Sequence, residues 1–162
     1  MKIIQPQNLN VTTPNGSFTF RWSPGFGAVM TDRLQRAQRF IDSECMRLMA
    51  PYTPMRNGML MESVKLGTVI GSGELRYHSP DARYLYYGEI YGPNIPIFEK
   101  GNPVPIGFFS PPGRKKHPTG RQMSYDTSRH PQAGKLWFER MKADHGDEIC
   151  NGAAKIAGGV VK

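Results

Sequence analysis

The chain has 162 residues, a length that suits one domain with one real core and excludes two large ones. Its 18 glycines and 14 prolines make up about a fifth of the sequence, against roughly 12% in average usage, so part of it is built from loops. The formal net charge is +8, yet charged residues are an ordinary 21% and aromatics 10%, which excludes a disordered polyelectrolyte.

No stretch approaches the roughly 18 consecutive apolar residues that span a bilayer. The start, Met1-Lys2-Ile3-Ile4 followed by Gln5-Pro6-Gln7-Asn8, lacks the apolar region of a signal peptide. A protein made in a cytosol, with no membrane partner, is expected. Cys45 and Cys150 have no neighbouring cysteine for a CxxC pair, so plain buried thiols are expected rather than a zinc ribbon or a disulfide framework.

In chain order, Leu9–Thr12 and Ser17–Trp22 alternate around Thr13-Pro14-Asn15-Gly16, and Asn-Gly between alternating runs predicts a hairpin. Phe18, Phe20 and Trp22 would share one face, which the following helix is expected to cover. That helix is predicted over about Ala28 to Met49, where Met30, Leu34, Ala37, Ile41, Cys45 and Leu48 recur at helical spacing. Thr31 and Asp32 are candidate N-caps, and Pro51 and Pro54 stop the helix.

Met55–Ser63 is read as one or two helical turns. Val64–Ile70 and Glu74–Ser79 are read as a second hairpin, with Gly71 and Gly73 supplying positive φ. Ser79-Pro80-Asp81 then caps a short aromatic helix, Ala82–Tyr87, stopped by Gly88. From about Ile90 to Gly134 the periodicity dissolves, and eight of the 14 prolines fall there: Pro93, Pro96, Pro103, Pro105, Pro111, Pro112, Pro118 and Pro131. Ile95 and Ile97 with Val104, Ile106 and Phe108 alternate around Lys100-Gly101-Asn102, predicting a third hairpin, while the chain from Ser110 onward reads as an arm. A final helix is predicted over about Gly134 to Ala157, with Trp137, Met141, His145, Ile149, Ala153, Ile156 and Val160 on its apolar stripe. Gly146 and Gly152 weaken that helix by about 1 kcal/mol each relative to alanine.

The predicted class is therefore α+β. A small antiparallel sheet is packed by a long helix in the first half and a C-terminal helix, as a single domain over 1–162, with an extended loop or hairpin arm over 90–134.

The charge is uneven. Residues 111–135 carry six basic groups and one acidic, so +5 of the +8 lies in the arm. Arg114, Lys115, Lys116 and Arg121 are the candidate basic docking residues, either for phosphates, acidic protein or plain solvation. No GxGxxG, P-loop, HExxH or GxSxG motif occurs, and the four histidines are scattered. No catalytic residue, metal ligand or cofactor is assigned, and the protein is read as not an enzyme. The tyrosines Tyr77, Tyr84, Tyr86, Tyr87 and Tyr91 either anchor an interface or close a core.

Three patches together resemble the minor capsid or neck proteins of long-tailed bacteriophages, the group related to tail-completion proteins. The first is Pro51-Tyr52-Thr53-Pro54-Met55-Arg56-Asn57-Gly58-Met59-Leu60-Met61-Glu62-Ser63, similar to a "P-x-x-T/P-x-x-G-x-L-x-x-S" stretch after a proline-ended long helix. The second is Ser79-Pro80-Asp81-Ala82-Arg83-Tyr84-Leu85-Tyr86-Tyr87-Gly88, leading into a long loop. The third, His130-Pro131-Gln132-Ala133-Gly134-Lys135-Leu136-Trp137-Phe138-Glu139-Arg140, resembles the entry to that family's C-terminal helix. The chain departs from the pattern at Thr53-Pro54-Met55-Arg56, where relatives usually carry an acidic residue before the turn.

The resemblance implies a structural virion protein, made in the host cytoplasm, that joins head and tail by assembling as a homo-oligomeric ring. Its implied partners are neck, portal-side or tail-tube proteins, with non-specific contact to packaged DNA. Tyr86, Tyr91, Phe98, Phe108 and Phe109 are the candidate interface residues. The alternatives are a tail terminator capping the tail tube and a small basic nucleic-acid-binding protein.

Overall fold

A computed structural model of the chain describes residues Lys2 to Gly159. Val160, expected on the C-terminal stripe, lies outside the described residues. The fold is α+β. In chain order its elements are β1 (Leu9–Thr13), β2 (Gly16–Phe20), α1 (Phe26–Met49), a 3-10 turn (Ala50–Tyr52), α2 (Met59–Gly67) and α3 (Ala82–Tyr87). β3 (Glu89–Gly92), β4 (Ile95–Phe98), β5 (Pro105–Phe109), β6 (His117–Gln122) and α4 (Trp137–Ala157) follow. These six strands pair antiparallel two by two, β1 with β2, β3 with β6 and β4 with β5. The chain gathers into two compact units: one takes the chain up to Leu48, Thr68–Leu75 and the chain from Ala143, the other Met49–Gly67 and Arg76–Lys142.

In the first unit α1 and α4 pack along their apolar stripes, burying Ala37 and Cys45 from one and Ile149 and Ala153 from the other. The approach is close at Gly152, where an added Cβ would sit 2.5 Å from Cζ of Phe40. Glycine there trades helix propensity for a ring laid on bare backbone. Cys150, by contrast, is exposed, so only Cys45 fits the expected buried thiol. Burial pushes the Cys45 thiol above its ordinary pKa.

The N-cap assignment to Thr31 and Asp32 is corrected, because α1 begins a full turn earlier. Thr31 Oγ1 donates to the Gly27 carbonyl inside the helix (2.7 Å) and accepts from the Ile3 amide (2.9 Å). Asp32 pairs with Arg36 on the exposed surface (2.8 Å). An amide of the first turn, that of Gly27, instead donates to the Gln5 side chain (2.8 Å).

The first hairpin forms in the expected register, Leu9 opposite Phe20 and Val11 opposite Phe18. Its aromatic face is not covered by α1: Phe18 and Phe20 stay 58% and 49% exposed. Trp22 leaves the strand direction and packs between Phe20 and Phe26, with ring centroids 5.1 and 4.8 Å away.

The second hairpin is also corrected. Val64–Gly67 continues α2, because Leu60, Ser63 and Val64 bury at helical spacing and outweigh the short alternating run. The expected return segment, Glu74–Ser79, is not a strand; Arg76–His78 runs past the end of α2, where the His78 amide meets the Ser63 carbonyl (3.4 Å). Gly71 and Gly73 do adopt positive φ, +97° and +78°. They serve a different purpose: both amides donate to Oδ2 of Asp42 (2.7 and 3.2 Å), whose Oδ1 accepts from Gln38 (2.8 Å). Backbone amides converging in one loop make a nest for a carboxylate, and here that carboxylate is a buried side chain of α1, while the Ser72 amide between them donates to the Val69 carbonyl.

The second unit is centred on Trp137, 1% exposed. Its indole N–H donates to the Tyr77 hydroxyl (3.1 Å), and Tyr77 and Tyr86 pack edge-on against it at 5.6 and 4.8 Å. Leu136, immediately before it, has φ +51°, a left-handed conformation that costs a non-glycine residue free energy. The Leu136 amide is held by the Tyr86 carbonyl (2.8 Å). α3 ends as expected, on Gly88 at φ +71° with its amide on the Tyr84 carbonyl.

Candidate interface

The stretch from Ile90 to Gly134 is more regular than its proline content suggests. β3 and β6 form a ladder at its root, with Glu89 opposite Gln122 and Gly92 opposite His117. Beyond that ladder β4 and β5 form the expected third hairpin, Ile95 opposite Phe109, Pro96 opposite Phe108 and Ile97 opposite Gly107. Prolines are tolerated because each pair of strands is all edge, so a missing amide need not break a ladder bond.

Strand geometry sends alternate residues to opposite faces. Ile95, Ile97 and Phe109 therefore share one face of the β4–β5 hairpin, and Phe108 points to the other. Both faces are open among the described residues: Phe98, Phe108 and Phe109 are 54%, 66% and 51% exposed, and Ile95, Ile97, Val104 and Ile106 are exposed as well. A two-stranded hairpin is marginal alone in water, and scattered exposed apolar residues are ordinary whereas a continuous apolar patch marks a contact surface.

The five candidate interface residues thus fall into two environments. Phe98, Phe108 and Phe109 lie open at the tip. Tyr86 is half-buried against Trp137, where burial pushes its phenol pKa up, and Tyr91 is half-buried against Tyr84 with ring centroids 4.8 Å apart. Of the basic residues, Arg114 and Lys115 lie exposed in the loop between β5 and β6, and Arg121 lies exposed on β6. Lys116 reaches back to the root, donating to Asn94 Oδ1 (3.1 Å).

A cleft of about 550 Å³ opens at that root, between the start of α2, α3, β3 and the segments at Lys116 and Met123. Buried Leu60 and half-buried Tyr84, Leu85, Ile90, Tyr91 and Met123 line it. Exposed Arg56, Asp81 and Lys116 bring charges of both signs to it. Its shape follows from local sequence: Asn57 Oδ1 accepts the Met59 amide (3.2 Å) to start α2, and Thr119 Oγ1 ties β6 to the Ile90 carbonyl (2.6 Å).

Among the described residues no group of three or more His, Cys, Asp or Glu side chains is placed to hold a metal ion. No helix among them is long and apolar enough to cross a membrane. His145 lies half-buried on α4 beside Glu148, Nδ1 to Oε2 3.3 Å, and His130 Nδ1 meets the Thr53 carbonyl at 2.8 Å. Sequence reasoning missed the cleft, the Asp42 nest and the strained Leu136. Only the nest had a visible signal, an acidic residue adjoining the apolar stripe of α1.

No family model matches the chain, and no curated protein and no solved structure matches it either.

Proposed function

We propose that this protein is a structural component of a tailed-phage virion, assembling as a ring at the neck to join head and tail, without catalysis. The observation that carries this reading is the β4–β5 hairpin, apolar on both faces and exposed at the end of a paired root. A surface of that kind is a recurring cost in water unless another chain covers it, and repeated head-to-tail contacts that close make rings. The order and spacing of the three sequence patches between residues 51 and 140 support the phage assignment. The exposed basic loop at Arg114 and Lys115 suits an acidic protein or the packaged DNA at a head–tail joint.

Two observations test the reading. Genes for portal, capsid and major tail proteins should flank this one, and a phage lacking it should yield DNA-filled heads and tails that do not join. Complementation by a chain without Ile95–Phe109 should fail although that chain folds; infectious particles from it would sink the proposal. A gel shift at two salt concentrations separates the nucleic-acid-binding alternative, since binding carried by Arg114, Lys115 and Arg121 alone would be tight at low salt and fall steeply as salt rises.

A further inference from the structure

We infer that the β4–β5 hairpin of one copy seats in the root cleft of a second copy, head to tail. The inference deepens the ring reading above by naming both halves of the contact. Both halves belong to one compact unit, so every copy carries a donor tip and an acceptor cleft. The tip does not occupy its own cleft, because its aromatic residues are all about half exposed or more. Only another molecule can bring the two together.

Three features match the partners. The first is shape: about 550 Å³ lies in the range of a pocket that takes a compact apolar group, and a two-stranded tip presents Phe98 and Phe108 as such groups. The second is chemistry. Tyr84 and Tyr91 offer ring faces and edges, and Met59 and Met123 offer flexible thioethers that adapt to aromatic rings. Met59 is 68% exposed at the cleft, so its thioether is open to an incoming ring. The third is charge. The turn at the end of the tip carries Glu99 and Lys100, and the cleft carries Arg56 and Lys116 with Asp81 and Glu89, so each sign at the tip has an opposite to meet. A tip-to-cleft contact uses different patches on the two copies, and where each copy's own tip seats in a further copy such contacts propagate around an axis.

The test uses the full chain. Phe108 is replaced by the photoreactive residue benzoylphenylalanine, and this protein is mixed with uniformly 15N-labelled wild-type chain, irradiated at high concentration, and digested for mass spectrometry. Benzophenone inserts readily into methionine C–H bonds. Light-to-heavy products joining the tip to the peptides holding Met59 or Met123 are expected, with the yield cut at least ten-fold when the labelled chain carries Met59→Lys. Met59 is exposed, so that variant should fold, which circular dichroism checks.

Products mapping elsewhere, for instance to Phe18 and Phe20, would overturn the inference. So would products confined to one chain, the absence of products, or a yield unmoved by Met59→Lys. The outcome is separable from the phage reading: cleft products from a protein with no place in a virion would sink that reading alone. Particles completed by a chain whose tip links elsewhere would sink this inference alone.

Discussion

The second unit contains two sets of aromatic residues with opposite fates. Around Trp137, the rings of Tyr77 and Tyr86 meet edge to face and the indole N–H finds the Tyr77 hydroxyl. At the β4–β5 tip, Phe98, Phe108 and Phe109 meet water. Both sets are large aromatics, the first also carrying polar handles, and a further difference lies in connection. Trp137 opens a helix of 21 residues and is approached by α3 and the Tyr77 segment, whereas the tip is a sheet of two short strands among the described residues. One set is committed to folding. The other is left open by folding, and it is the surface that the proposed contact would cover.

The largest test of that contrast is Trp137→Ala, which should cost about 3–5 kcal/mol in chemical denaturation, the range for emptying a large aromatic site. A loss below 1 kcal/mol would show that Trp137 is not the centre of the unit. Asp42→Ala should cost about 1–3 kcal/mol, because it removes the carboxylate that the Gly71 and Gly73 amides and the Gln38 side chain share. Hydrogen exchange at those two amides should rise in the variant, and unchanged exchange would contradict the nest.

Gly67→Ala should cost about 1–3 kcal/mol although alanine favours helix, since the new methyl would collide with the Arg76 carbonyl, a backbone atom that cannot turn aside. A gain in stability would show that the Arg76–His78 segment is looser than its packing implies. A smaller effect is set by pH. Burial raises the Tyr77 phenol pKa above the ordinary value near 10. Its contribution to stability is therefore whole below about pH 10 and is lost as pH climbs through the folded value. Ultraviolet titration should show phenol ionisation extending above the ordinary range, and Tyr77→Phe should remove part of that late step.

Much of this was legible in the sequence wherever periodicity ran long. The stripes of α1 and α4 placed both helices to within three residues, and Asn-Gly and Gly101-Asn102 marked the first and third hairpins. Short runs misled. Val64–Ile70 alternates well enough to read as a strand, but the burial of Leu60, Ser63 and Val64 is helical and is decided by packing that a seven-residue window does not contain. The Gly71-Ser72-Gly73 segment read as a turn between strands because its true partner, Asp42, is 29 positions away from Gly71. At the site, the sequence named the exposed Phe98, Phe108 and Phe109, yet grouped them with Tyr86, whose partner Trp137 is 51 residues on. The cleft draws on positions from Pro54 to Met123, so no local pattern could reveal it.

The most direct test of the proposed division between folding and assembly aromatics is sedimentation of the chain carrying Phe98→Ser, Phe108→Ser and Phe109→Ser against wild type over a rising concentration series. The wild-type chain should grow heavier than its 18.2 kDa protomer as concentration rises, while the triple variant stays at that mass with unfolding within about 0.5 kcal/mol of wild type. Equal masses at every concentration, or a variant that unfolds several kcal/mol earlier, would contradict the account.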